Sequence, residues 1–198
     1  MKNKTLKIIL ILFLIIGASF IFNRTYAATA TPAFKYNLIW SIDKYYYYLH
    51  SSGTKYATEI ANAANNWVYT GYGWNNLYPN TKTDNIIDSA CDFYTYYAQD
   101  GINGITLFYK RSNGHSGTVS EIADGDVSDW LFNDIRLNTN YMDRYSSTIR
   151  QGVIAHEFGH AFGLKHNNTN PNSIMCQMGS GRAVYKVQQV DQTAFNKK

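Results

Sequence analysis

The spacing of apolar positions changes several times along this chain, and each change predicts a new element. Ile8 to Phe22 is an apolar run, preceded by Lys2, Lys4 and Lys7 and followed by small residues around Ala27, Ala28 and Ala30. Residues 31–50 are dense in aromatics, and Lys44-Tyr45-Tyr46-Tyr47-Tyr48-Leu49 has the β propensity of an early strand. After Ser51-Ser52-Gly53 the period turns helical. Tyr56, Ile60, Ala63 and Trp67 share one face, which predicts an amphipathic helix over residues 55–68 with Thr54 as its N-cap. Gly71, Gly73, Asn75, Asn76, Pro79 and Asn80 read as a loop, and strands are expected over Asn85 to Ala90 and Ile105 to Lys110. Residues 112–129, with Gly114, Gly117 and Gly125, read as a long irregular excursion. Ile135 and Leu137 then alternate with polar neighbours in a strand from Asp134 to Asn138. The pair Thr148-x-x-Gln151 fits a capping box that opens another helix. Val153, Ile154, Phe158, Ala161, Phe162 and Leu164 leave that helix hardly any wet face, which implies burial.

Composition supports a folded core: 45% of the 198 residues are hydrophobic, only 16% are charged, and 17 are Tyr, which argues against disorder. The length suits one domain with one core. The order basic, apolar, small in residues 1–27 is that of a cleaved secretory signal peptide. A permanent anchor is the alternative, but the run of 15 residues falls short of the roughly 20 that a spanning helix needs. We therefore expect cleavage after Ala27 or slightly later and a secreted mature chain over 28–198, without stable membrane association and monomeric. The charge follows the same division. Residues 1–27 hold Lys2, Lys4, Lys7 and Arg24 and no acid, which accounts for the whole formal net charge of +4. The remainder is balanced and shows no basic footprint for nucleic acid.

The chemistry is concentrated in residues 155–166, Ala-His-Glu-Phe-Gly-His-Ala-Phe-Gly-Leu-Lys-His. On a helix, His156 and His160 project from one face and reach a single ion. Glu157 follows the first His, where in zinc peptidases the carboxylate is directed at the attacking water instead of the metal. Gly163 suits a helix end that reverses sharply through a left-handed residue. Beyond it His166 offers a third ligand, leaving the fourth tetrahedral position open, as a catalytic zinc site requires. Three of the chain's 5 His are spent here.

The run His156-Glu157-x-x-His160-x-x-Gly163-x-x-His166, followed by Ser173-Ile174-Met175, resembles the metzincin clan of zinc endopeptidases, most closely its matrixin-like catalytic domains. The resemblance implies an α+β fold: a twisted, mostly parallel sheet with a long N-terminal helix, an active-site helix, a Met turn at Met175 beneath the zinc ligands, and a C-terminal helix near Val187 to Asn196. It also implies one catalytic Zn2+, a polypeptide substrate extended along an edge strand, and a specificity pocket walled by the segment after Met175. Two residues beyond the Met stands Gln177, not the Tyr of astacin-like and serralysin-like members, which favours the matrixin-like side. No Cys precedes Tyr45, so no cysteine-switch latency is expected; only His50 and His115 remain outside the motif, so no second zinc is expected either.

Glu157 is thus expected to act as general base in zinc-assisted peptide hydrolysis. The rival reading is a secreted zinc-binding or adhesion module without turnover, against which an open site with a Glu argues. The specificity wall is expected within Cys176 to Lys186, where Gly179, Ser180 and Gly181 give a turn and Val184 and Tyr185 offer apolar contact to a hydrophobic residue just after the cleaved bond. Asp124, Asp126 and Asp129 are candidates for a Ca2+ ion, although they lack an EF-hand loop. Cys91 and Cys176, an even number in an exported chain, suit a disulfide; two buried free thiols are the alternative.

Overall fold

The computed structural model describes residues 30–39, 45–73, 81–113 and 116–198. The expected signal peptide, Lys44, the loop from 74 to 80 and His115 lie outside the described residues.

Strand β1 (Tyr46–Leu49) alternates as its pattern requires, with Tyr47 and Leu49 buried. The helical period then produces two elements. A 3-10 turn over Ser51–Tyr56 runs into α1 (Ala57–Val68), so Thr54 is not the N-cap; its hydroxyl donates to the Ser51 carbonyl inside the turn at 2.7 Å. The tight turn exists because Gly53 lies against the Phe93 backbone, where a Cβ would come 2.5 Å from the Phe93 carbonyl oxygen.

Strand β2 (Lys82–Thr83) is followed by a further departure from the expected pattern. Residues 85–90 are not one strand: the Asn85 side chain accepts from the Ile87 amide and folds Ile86–Asp88 into a 3-10 turn, so β3 spans Ser89–Tyr96. Next come β4 (Gly104–Asn113) and β5 (Ser116–Ile122). The stretch expected to be irregular is therefore in part a strand, held by antiparallel pairing to β4 and not by any alternation of its own. Strand β6 (Phe132–Asn138) and a short α2 (Thr139–Met142) lead to α3 (Ser147–Ala161). The cap of α3 is Ser146, whose Oγ accepts from the Ile149 amide, which places Thr148 and Gln151 inside the helix and not in a capping box. Helix α4 (Gln189–Phe195) closes the chain.

The six strands form one mixed sheet in the order β2-β1-β3-β6-β4-β5. Strands β2, β1, β3 and β6 are mutually parallel, whereas β4 runs antiparallel to β6 and β5 antiparallel to β4. Helices α1 and α3 cover one face. Phe158 of α3 meets Phe93 of β3 and Tyr47 of β1 edge-on, at centroid distances of 5.1 and 6.1 Å. Trp67 of α1, fully buried, donates to the Ala155 carbonyl of α3 at 2.8 Å and so locks the two helices in register.

Candidate metal centre and cleft

Burial of α3 is what places the site. From Gly152 to Gly159 every residue is buried, including His156 and Glu157, so these two polar side chains have been carried into the interior by their apolar neighbours. The helix ends at Ala161, and Gly163 adopts φ 97°, the left-handed conformation its position requires. The Leu164 amide bonds back to the Gly159 carbonyl at 2.9 Å. The N-terminal segment then clamps the reversal, with Phe34 N donating to Gly163 O and Lys165 N to Pro32 O, both at 2.8 Å.

The reversal brings the three expected imidazoles together. His160 Nε2 lies 3.2 Å from His156 Nε2 and 3.1 Å from His166 Nε2. Among the described residues this is the one group of three or more His, Cys, Asp or Glu whose ligand atoms lie within 4.8 Å of one another. Nδ1 of His156 donates to the Ile174 carbonyl and Nδ1 of His160 to the Leu164 carbonyl, each at 2.8 Å. Those bonds fix the tautomer, leaving lone pairs on both Nε2 atoms. Two lone pairs 3.2 Å apart repel unless a cation sits between them, so the donor set fits a zinc ion. Burial and the neighbouring imidazoles push His156 well below the usual histidine range and His160 down to about 4, and burial lowers His166 as well. All three are held in the neutral, ligating form.

Glu157 is held by residues the sequence did not single out. Thr106 of β4 brings its Oγ1 to 2.8 Å from Glu157 Oε2 and 3.0 Å from the Glu157 carbonyl. A Cβ on Gly104 would come 3.1 Å from Glu157 Cγ, so β4 passes close against the Glu157 side chain at this glycine. Burial pushes the Glu157 carboxyl up to about 7, opposed by the Thr106 hydrogen bond and the Arg182 guanidinium.

Beneath the imidazoles, the chain turns at Ser173–Cys176, with Cys176 N bonded to Ser173 O at 3.1 Å. Met175 is fully buried against α3 at Gly159, where any Cβ would overlap its sulfur. Asp191 of α4 ties this turn down. Fully buried, it accepts from Thr31 Oγ1 at 2.8 Å, Ile174 N at 2.9 Å and Gln188 N at 3.1 Å, and from Ser173 Oγ. Its one sequence signal is the Gln188-x-x-Asp191 capping box of α4.

A cleft of about 860 Å³ runs between β4 and the segment Gln177–Arg182, with His156, Glu157, His160 and His166 along it. Several expected residues fall elsewhere. Val184 and Tyr185 do not line this cleft; Tyr185 packs on Gly152 instead, where an added Cβ would come 2.7 Å from its ring. Asp124, Asp126 and Asp129 do not converge on an ion site: Asp126 accepts from Lys35 N and pairs with Lys165, Asp129 accepts from Asn37 N, and Asp124 accepts from Asp126 N. Cys91 and Cys176 are both buried and free, so the expected bridge is not formed. Cys91 lies within β3 between β1 and β6, while the Cys176 thiol is turned towards the carbonyls of Gln177 and Ser180.

Three imidazoles converge on a helix and its reversal, beneath a mixed sheet, in an arrangement that could hold one metal ion. The matrixin model of the peptidase families matches residues 34–197, and the chain belongs to the matrixin family. No curated protein is similar enough to this sequence to match. Among solved structures the chain is similar to the GM1-bound form of the ECX AB5 holotoxin, at 14% identity over 84% of this chain and 85% of that one, with a TM-score of 0.49. That likeness is too distant to bear on activity.

Proposed function

We propose that this chain is an exported zinc endopeptidase whose general base is Glu157 and whose zinc is held by His156, His160 and His166. The observation that carries the reading is the buried Glu157 carboxylate beside the imidazole triad, held by Thr106 and facing an open cleft. The turn at Met175 is read as the Met turn, a floor that carries the Ile174 carbonyl to His156. Zinc, when bound, supplies Lewis acidity that makes a water nucleophilic near neutral pH and polarises the scissile carbonyl. Glu157 takes a proton from the attacking water and returns it to the leaving amine.

The sheet edge supports an extended substrate. Asn138 N bonds Asn103 O at 2.9 Å, so by antiparallel alternation Ile105 and Leu107 face β6, while the amides and carbonyls of Gly104 and Thr106 face away from it. Strand β5 pairs with β4 only from Phe108 onwards, which leaves that edge free beside Glu157 for an added strand.

Glu157→Gln tests the reading. Zinc content should stay near one per chain while turnover of a quenched fluorescent peptide falls by about 10²- to 10⁴-fold or more. His160→Ala should lose zinc itself. A Gln variant as fast as the parent removes Glu157 as base, and a zinc-loaded parent that cleaves no peptide makes the chain a binding module. Export predicts that the mature chain begins at or shortly after Ala28, which N-terminal sequencing of the released protein checks.

A further inference from the structure

Arg182 lines the same cleft as Met178, Glu157 and His156, and is only 8% exposed. One of its nitrogens, Nη1, donates to the Ile174 carbonyl at 3.3 Å. The other two, Nε and Nη2, are buried without a hydrogen-bond partner. These two share one edge of the guanidinium plane, the side-on fork that grips a carboxylate with two parallel hydrogen bonds. Among the described residues no carboxylate lies within ion-pair distance of Arg182. Glu157, whose charge it feels, is hydrogen-bonded to Thr106 instead. A buried, unanswered cation is costly, so its partner is expected to arrive with the ligand.

Strand direction says which part of a substrate reaches it. A peptide paired antiparallel to β4 runs from the Phe108 end of the free edge to the Asn103 end. Asn103 touches Met178, its Nδ2 lying 3.6 Å from the sulfur, so the residues beyond the cleaved bond pass along the Met178–Arg182 wall. We infer that Arg182 selects a carboxylate for the position immediately after the cleaved bond, through its free Nε–Nη2 edge. This inference rests on the peptidase reading, and it replaces the hydrophobic preference expected from Val184 and Tyr185. The carboxylate has two chemical sources, the side chain of Asp or Glu and the terminal carboxylate of a chain that ends at that residue.

The zinc-loaded protein is tested on two matched peptide series. One carries Glu, Gln or Leu after the cleaved bond within a longer chain; the other ends at that residue as a free acid or an amide. The inference expects kcat/KM about 10- to 100-fold higher for Glu than for Gln in the first series, or for acid than for amide in the second, the range of a charge-assisted hydrogen bond. The series that shows the preference identifies the source. In Arg182→Met the ratio should fall to near one, and in Arg182→Lys, a point charge without the fork, to an intermediate value. Zinc content and thermal melting of both variants are recorded, because Nη1 also supports the Ile174 carbonyl. Should the parent protein cleave neutral and acidic peptides alike in both series, or Arg182→Met keep the preference, the inference is overturned while the peptidase reading stands. Should the zinc-loaded parent cleave nothing, both fall together.

Discussion

Replacing Asp191 separates the support of the zinc site from its ligands, since Asp191 touches no imidazole yet anchors the turn whose Ile174 carbonyl holds His156 Nδ1. Its carboxylate is fully buried and answers four donors, two backbone amides and two hydroxyls. In Asp191→Leu the hydroxyls can turn elsewhere, as Thr31 and Ser173 already lie 3.2 Å from each other. The amides of Ile174 and Gln188 cannot turn. Two stranded amides at about 1–3 kcal/mol each put the loss of stability near 4 kcal/mol. Asp191→Asn keeps one accepting oxygen for the amides and gives up only the charge, so its loss should be about 1–2 kcal/mol. A loosened turn should also weaken zinc, by about 10- to 100-fold in the Leu variant, the usual effect of losing a partner behind a metal-bound histidine. Urea unfolding of the zinc-free protein gives the first quantity, and competition against a chromophoric chelator gives the second. A Leu variant as stable as the parent, or one that binds zinc equally tightly, would refute this account of the turn.

Gly159→Ala should destabilise the protein by about 1–2 kcal/mol, because the added methyl overlaps the Met175 sulfur and lies 3.0 Å from Trp67, and overpacking exceeds the gain of about 1 kcal/mol in helix propensity; an unchanged or higher melting temperature would contradict it. Burial, with a smaller push from Asp134, raises the Asp92 carboxyl to about 7 against a hydrogen bond from Ser89 that lowers it. The folded state therefore keeps a proton that the unfolded chain releases above about pH 4, so stability should fall as pH rises from about 4 to 7, by at most about 4 kcal/mol, and level off above. Asp92→Asn should abolish that part of the slope in unfolding curves across this range, and parallel slopes for the two proteins would disprove the assignment. Cys91 and Cys176 should both be alkylated in denaturant without reductant and neither in the native protein; an unreduced chain that takes up no label would restore the disulfide.

The convergence of the three imidazoles was legible in the sequence because its geometry is local. His156, His160, Gly163 and His166 span eleven positions, and helix periodicity plus one left-handed glycine is enough to fold them onto one point. The same holds for the buried stripes of α1 and α3 and for β1, β4 and β6, whose patterns repeat within a few residues. Where two local signals compete, the neighbourhood decided between them. Ser146, not Thr148, caps α3, and Asn85 turns the chain before β3 can begin.

The remaining features depend on partners far along the chain, which no window of sequence contains. Thr106 finds Glu157 across 51 residues, and Thr31 finds Asp191 across 160. Strand β5 is made by the β4 edge beside it, and the glycine at 159 is required by the Met175 sulfur, which only the packed fold brings to where a Cβ would lie. The two cysteines could be paired on paper because their spacing says nothing about direction; the fold puts one inside the sheet and turns the other towards its own loop. The sequence by itself determined which imidazoles converge, because their spacing is a property of one helix and one turn. Only the tertiary structure decided what holds those atoms and what lines the cleft, because those are properties of surfaces that meet after the chain has folded.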